Sequence, residues 1–267
     1  MSRCTNLKHS SKWTTNFIGE CCSQRQQTKT TVPPTSQDPT PMLILQFNCN
    51  GISGKCDEII DFMIRHSIMI AAIQETKLSK KSKLPSNIGE FSVVRKDRTS
   101  DAGGGLCFII HNSIKYQTLD LPPPPIDDLH MEQQGIIVFS GKTQIKLINI
   151  YIPPDSCCQC NYHPTLEHLL SLDDAIIMGD FNAHHKLWFS KLDENIRGTK
   201  FAEEIALSNY VTLNLNPPAR IKNNCESSPD FTLASNSLLC STEWCTKTSL
   251  GSDHLPIIVS LQQHIIV

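Results

Sequence analysis

Ala175-Ile176-Ile177-Met178-Gly179-Asp180-Phe181-Asn182-Ala183-His184-His185 is the stretch whose reading decides how the rest of the chain is read. Four apolar residues ahead of a glycine predict a buried strand, and its C-terminal end delivers Asp180 and Asn182 to the rim of a core. Side chains two apart on an extended segment share a face, so a carboxylate and an amide stand together where backbone gives way to solvent. Taken alone the stretch reads more readily as a strand end closed by an Asx-turn, because Asp and Asn favour turns for local hydrogen-bonding reasons. The other strand ends decide between the two.

The same pattern recurs along the chain. Met42 to Gly51 reads as a strand running into a turn at Asn48 and Asn50, and Ile68 to Glu75 as a strand ending in a carboxylate. Between them, from Cys56 to His66, Ile59, Ile60, Met63 and Ile64 recur at helical spacing. Further strands are expected over 91–95, 106–111, 135–140, 144–151, 210–215, 231–234 and 255–261, with helices over 164–170 and 199–208. Many strands with few helices predict an α/β fold of two packed sheets flanked by helices. Pro122 to Pro125 is expected to be an extended, exposed connection, and the polar, proline-containing residues 1–41 to be a disordered tail ahead of one domain over 42–267.

Bulk properties narrow the function. With 267 residues, 39% hydrophobic content and a formal net charge of −2, the chain can bury a sizeable core. That charge argues against coating nucleic acid by charge alone, yet allows an enzyme that grips a phosphate backbone locally. No apolar run reaches bilayer-spanning length and no apolar signal core opens the chain, so no membrane partner and an intracellular location are expected. The twelve cysteines then read as reduced thiols. Cys157 and Cys160 have C-x-x-C spacing, with Cys158 between them and His163 beyond. No second pair matches, so free cysteines are expected there rather than a structural zinc.

Polar residues gather at the predicted strand ends: Asn48 with Asn50, Glu75, Tyr151, Asp180 with Asn182, and Gly251-Ser252-Asp253-His254, with Asp230 just before another apolar run. Carboxylates for a hard cation, amides and a phenol for anionic oxygens, and a His able to move a proton make the inventory of metal-assisted phosphodiester hydrolysis. No nucleophile motif and no phosphate-binding glycine loop is present.

Asn48-x-Asn50-Gly51, Gln74-Glu75-Thr76-Lys77, Asn149-x-Tyr151-x-Pro153, Gly179-Asp180-Phe181-Asn182 and Ser252-Asp253-His254 occur in the order of the endonuclease/exonuclease/phosphatase superfamily. The chain, from about residue 42 to 262, resembles the apurinic-endonuclease-like domain of non-LTR retrotransposons of the Jockey kind. The resemblance implies a two-sheet α/β sandwich and a magnesium-dependent (manganese as substitute) DNA-nicking endonuclease. Its product would be a 3′-hydroxyl that primes reverse transcription. Glu75 would be the main metal ligand, with Asn50 and Asp253 near the same ion. Asn48 and Tyr151 would contact the scissile phosphate, Asp180 would position or deprotonate water, and Asn182 would donate to the phosphoryl oxygens. His254 would bond the phosphate or manage a proton, with Asp230 holding its ring.

Departures from the family pattern are specific. Asn50 stands where repair enzymes usually have Asp, and Pro154 where they have Asn, both pointing away from dedicated repair. Phe47 replaces a frequent Trp, Ala219 a frequent Thr, and Phe189 follows Trp188 where Gly is usual. Lys77, Lys80 and Lys81, with Arg220, are candidates for contacting a DNA backbone, against the alternative of a solvated lysine-rich loop. His184 and His185 are expected in a turn or loop contact and Trp188 in the core.

Double-stranded DNA is the implied substrate, element RNA and a reverse transcriptase domain the implied associates. The nucleus is the implied site of action, the cytoplasm the alternative. The chain is too short to add a polymerase and has no Tyr-x-Asp-Asp signature, so a truncated copy, a fragment or an excised domain is expected. The alternatives are another phosphoesterase of the superfamily, acting on abasic DNA or on an inositol or lipid phosphate, and a catalytically silent relic that at most binds nucleic acid.

Overall fold

A computed structural model describes residues 41–98, 103–124, 130–140, 143–158 and 163–262. The tail expected over 1–41 lies, apart from Pro41, outside the described residues, as do Pro125 and Cys160.

The long apolar runs form strands buried on both faces: β1 (Met42–Asn48), β2 (Ile68–Gln74) and, further on, β9 (Ala175–Asp180). A strand covered on both sides has no polar face, so its sequence runs apolar instead of alternating. Between β2 and β9 come β3 (Asn87–Ile88), β4 (Phe91–Lys96), β5 (Leu106–His111), β6 (Lys115–Leu119), β7 (Glu132–Ser140) and β8 (Thr143–Tyr151). After β9 come β10 (Tyr210–Thr212), β11 (Arg220–Lys222), β12 (Cys225–Ser227), β13 (Asp230–Ser235), β14 (Thr242–Thr246) and β15 (Ile257–Leu261). The first sheet has the order β14-β15-β1-β2-β5-β4-β3 and the second β10-β13-β9-β8-β7-β6, while β11 and β12 form a separate hairpin.

The sheets pack face to face. Ile44, Ile70 and Phe108 of the first meet Leu147, Ile176 and Met178 of the second in one core. On the outer face of the first sheet, Leu45, Phe47 and Ile73 pack under helix α1 (Cys56–Arg65) through Ile59, Phe62 and Met63. Each of those helix side chains contributes about 1.5–3 kcal/mol by leaving water. On the outer face of the second sheet, Ile148, Ile177 and Phe231 pack against Leu169 of the one-turn helix α2 (Glu167–Leu170) and Phe201 and Ile205 of α3 (Ile196–Ala206). This is the expected two-sheet α/β sandwich with helices outside. Among the described residues no helix is long and apolar enough to cross a membrane.

Several elements differ from the sequence expectation, each for a local reason. The helix expected over 164–170 is one turn, and the one expected from residue 199 starts earlier, because Asn195 caps it by accepting from the Gly198 N–H at 2.8 Å. The strand expected over 210–215 ends at Thr212, and the one over 255–261 starts after Pro256, a residue with no N–H for a ladder. The strands β6, β11, β12 and β14 were not legible because they are short or lie at edges with exposed polar side chains. Pro123 is exposed, as expected for that connection, but Pro122 and Pro124 are half-buried.

The register matters for function. In the second sheet Tyr151 lies opposite Asp180 on the parallel neighbour, and Asp180 opposite Asp230 on the antiparallel one. In the first sheet Asn48 lies opposite Gln74. Two rows of strand ends therefore face each other at one rim of the sandwich.

Candidate active site

Asn48 joins the two rows. Its Nδ2 donates to Glu75 Oε1 at 3.0 Å and to Asp180 Oδ2 at 2.8 Å, while its Oδ1 accepts from the Asn50 N–H at 3.0 Å. Its carbonyl accepts from Ser252 Oγ at 2.9 Å, which brings the Ser252-Asp253-His254 segment to the same rim.

The backbone is strained here. Asn50 (φ 49°), Glu75 (φ 50°), Lys77 (φ 52°) and Asn182 (φ 47°) all adopt the left-handed region. Asn tolerates it, but Glu and Lys gain no such local compensation, and each such residue costs about 1 kcal/mol or more. The kink at Glu75 ends β2 and lets the carboxylate meet Asn48. At Gly179 the constraint is space, since an added Cβ would lie 1.9 Å from the Ile150 carbonyl oxygen.

Asp180, Asp230 and His254 form a buried group. His254 Nδ1 is 2.7 Å from Asp230 Oδ2, and Nε2 is 3.9 Å from Asp180 Oδ2. Burial and the adjacent Asp230 push the Asp180 carboxyl up to about 7, against the opposing pull of His254 and the Asn182 N–H. Burial alone would lower the His254 pKa, but the Asp230 carboxylate and its hydrogen bond, with Asp180 beyond, push it up to about 9. The imidazolium is thus the resting form near neutrality. Asn214 pins the Asp230 backbone, donating to its carbonyl at 3.0 Å and accepting from the Thr232 N–H at 2.9 Å.

Asn182 donates to the Ile152 carbonyl at 2.9 Å and to Asp180 Oδ2 at 3.3 Å, and its N–H bonds Asp180 Oδ1 at 3.0 Å. Tyr151 is buried, and burial together with Glu75 and Asp180 holds its phenol well above the ordinary range, so it stays a neutral donor. Arg98 lies 5.5 Å over its ring and pairs with Glu132, the cross-strand neighbour of Tyr151.

Lys77 and Asp253 are both ion-paired. The Lys77 ammonium sits 3.3 Å from Glu75 Oε2 and also donates to Asn50 Oδ1, so one internal cation bridges two of the three expected metal ligands. Asp253, the third, accepts from Arg220 Nε at 2.9 Å and Nη2 at 2.6 Å, with Lys222 at 3.8 Å. Arg220 holds it below the usual carboxylate range although burial works the other way. Of the four candidate DNA contacts, Lys77 and Arg220 are engaged within the site, and Lys80 and Lys81 lie on an exposed turn. Asp180, Asp230 and His254 offer ligand atoms all within 4.8 Å of one another, a geometry that can hold a metal ion.

Sequence reasoning missed Arg197. It is buried on α3 and donates from Nη1 to the carbonyls of Pro153 at 2.9 Å, Phe181 at 3.0 Å and Asn182 at 3.4 Å, and it pairs with Asp155. It thereby ties the loop after Tyr151 to the loop after Asp180. Its spacing of four from the buried Phe201 was the available signal, since it puts an arginine on the inward helix face. Trp188 is in the core, stacked 4.5 Å from Phe231, and its indole donates to the Ala183 carbonyl at 3.1 Å. His185 Nδ1 accepts from the Leu187 N–H at 3.1 Å and His184 Nδ1 is 3.1 Å from Ser190 Oγ, both loop contacts. Cys157 and Cys158 are free thiols.

Residues 145–258 match the family model described as endonuclease-reverse transcriptase. Over 226 residues, 83% of this chain, the sequence is 28% identical to the probable RNA-directed DNA polymerase from transposon X-element of Drosophila melanogaster. A second relative, from transposon BS of the same organism, is 22% identical over 230 residues. The aligned stretch is 24% of each relative, so the chain spans about a quarter of their length. Among solved structures, the endonuclease domain of TRAS1, a telomere-specific non-LTR retrotransposon, matches with TM-score 0.65 and 18% identity, covering 83% of this chain and 98% of that one. The AP endonuclease LMAP from Leishmania major matches with TM-score 0.68 and 14% identity, covering 84% and 88%. The chain has the endonuclease/exonuclease/phosphatase fold and is similar, over 83% of its length, to a part of the probable RNA-directed DNA polymerases of two Drosophila melanogaster transposons.

Proposed function

We propose that residues 42–267 form a metal-dependent endonuclease that nicks one strand of double-stranded DNA, leaving the 3′-hydroxyl from which a reverse transcriptase copies element RNA. The observation that carries this reading is the Asn48 amide held between Glu75 and Asp180, 3.0 and 2.8 Å away, with Asp230 and His254 closing the same rim. Three carboxylates, an amide, a phenol and a charged imidazole around one rim suit an attack of water on a phosphodiester.

The donor set fits magnesium at Glu75 and Asn50. Their oxygens already share one cation, the Lys77 ammonium, and are hard ligands. Asp253 joins them only on giving up Arg220. The Asp180, Asp230 and His254 cluster fits less well, because His254 Nδ1 is committed to Asp230 at 2.7 Å. When bound, magnesium supplies positive charge against the phosphate oxygens and the departing 3′ oxygen.

The chain's own residues supply the rest. Asp180, poised near neutrality, orients the water and takes its proton. His254 keeps Nδ1–H on Asp230, and the 3.9 Å between Nε2 and Asp180 is too long for a hydrogen bond, so Nε2–H serves as the donor to a phosphoryl oxygen. Asn182 gives up its longer bond to Asp180 to donate to the phosphoryl oxygen as charge builds. Tyr151 and Asn48 donate to the same phosphate on giving up their bonds to Glu75.

Supercoiled plasmid and an abasic duplex, each with magnesium, test the reading. Plasmid nicking by the wild type that is lost in Asp180→Asn is the expected result. Cutting confined to the abasic duplex points to a repair enzyme, and no cutting of either to a silent relic.

A further inference from the structure

Directly beneath the rim lies a layer of polar side chains that the chemistry above does not use. Gln46, Gln74, Asn149 and Thr232 are each fully buried. On three strands they sit two residues from a site residue and on the same face: Gln46 below Asn48, Asn149 below Tyr151 and Thr232 below Asp230. Gln74 immediately precedes Glu75. Beneath them the sandwich is apolar, from Ile44 and Ile70 to Leu147 and Ile176.

These side chains bond across the gap between the sheets. Gln46 of β1 donates to the Gly179 carbonyl of β9 at 3.0 Å and accepts from Thr232 Oγ1 of β13 at 2.7 Å. Thr232 Oγ1 in turn accepts from Trp244 Nε1 at 3.2 Å. Gln74 of β2 donates to Asn149 Oδ1 of β8 at 2.7 Å, and Asn149 Nδ2 donates back to the Ile73 carbonyl at 3.0 Å and the Cys107 carbonyl at 3.3 Å. Apolar packing alone sets the distance between two sheets loosely, whereas hydrogen bonds have a narrow length and direction. Polar groups buried this deeply are costly unless satisfied, and every side-chain polar atom of these four residues has a partner except Gln74 Oε1.

We propose that this belt, Gln46 with Thr232 and Gln74 with Asn149, fixes the separation of the two halves of the site, so that these four are positioning residues for the hydrolysis. One half, Asn48 and Glu75, rides on the first sheet; the other, Tyr151, Asp180 and Asp230, rides on the second. The inference rests on the endonuclease reading for its catalytic consequence, but not for its structural one. The Asn48 amide spans the halves, so it reports their separation whether or not the protein cuts DNA.

The test uses the full chain with both partners of a bridge replaced by apolar side chains of similar shape, Gln74→Leu with Asn149→Leu, and separately Gln46→Met. Removing both Gln74 and Asn149 leaves little unpaired, and Gln46→Met leaves the Thr232 hydroxyl with its bond from Trp244 Nε1 alone, so circular dichroism checks the fold of each variant. Should the double variant fail to fold, Gln46→Met carries the test. Two quantities are read: solvent exchange of the Asn48 side-chain amide by ¹⁵N NMR, and plasmid nicking at saturating DNA and magnesium. The expected results are exchange about 10-fold faster and kcat about 100-fold lower with KM for DNA little changed, the size of effect that a misplacement of about 1 Å produces. Gln74→Asn with Asn149→Gln, which exchanges the two amides at constant total length, is expected to recover both. Asn48 exchange unchanged in folded variants overturns the proposal, and so does faster exchange with kcat intact. A wild type that does not nick, with Asn48 exchange still accelerated in the variants, removes the endonuclease reading and leaves the belt's control of the site's spacing standing.

Discussion

His254 and Asp230 are locked together, Nδ1 to Oδ2 at 2.7 Å, although Asp230 opens β13 and His254 lies in the segment ahead of β15, and both are buried. That contact fixes the ring and keeps its proton on the Asp230 side. Asp230→Asn preserves shape but removes the carboxylate charge that keeps the imidazole protonated. A buried Asp orienting a catalytic His can be worth up to about 10⁴ in turnover. We expect kcat for plasmid nicking to fall about 100-fold or more in protein that remains folded; a loss under threefold would separate the pair from the chemistry.

The pH profile follows from the same group. Asp180 must be ionised and His254 charged, so nicking should rise through about 7 and fall through about 9. Stability moves differently. The raised His254 pKa contributes stability that is fully present below its unfolded value of 6.5 and lost as pH rises through about 9. The raised Asp180 pKa works against the fold as pH climbs from 3.8 through about 7. Differential scanning calorimetry should therefore show the midpoint falling between pH 6.5 and 9, and His254→Gln should flatten that slope.

Lys77 competes with any divalent cation for Glu75 and Asn50, because its ammonium already contacts both. Lys77→Met removes a partly exposed internal cation, worth on the order of 1 kcal/mol. Half-saturating magnesium should fall about fivefold. Isothermal titration with magnesium, without DNA, reads this directly; unchanged affinity would place the ion elsewhere.

Arg197 holds three carbonyls that bracket the site. Arg197→Met strips them of their buried donor at a cost of about 2–4 kcal/mol. In a domain of this size that lowers the thermal midpoint by roughly 5–15 °C. Arg197→Lys should recover little, because one ammonium cannot reproduce the planar fork.

The strand ends were legible because their apolar runs stop abruptly at polar residues, as at Met178-Gly179-Asp180. The order of those ends carried the fold. What the sequence hid were relationships set by packing. Lys77 reads as a DNA-contact candidate in a basic run until the left-handed kinks at Glu75 and Lys77 bring its ammonium against Glu75 and Asn50. Asp253 reads as a free carboxylate until the hairpin of β11 and β12 brings Arg220 against it. Gln46 and Asn149 look like interruptions in apolar strands, and only the facing of the two sheets gives them partners.

The most direct test of the account compares wild type with Asp180→Asn on supercoiled plasmid in magnesium, measuring the first-order rate of conversion to open circles and the chemistry of the new ends. The account predicts nicked circles extendable by a polymerase from a 3′-hydroxyl, formed at least about 100-fold faster by the wild type, as expected for loss of a general base. Equal rates for the two proteins, or ends that no polymerase extends, would contradict it.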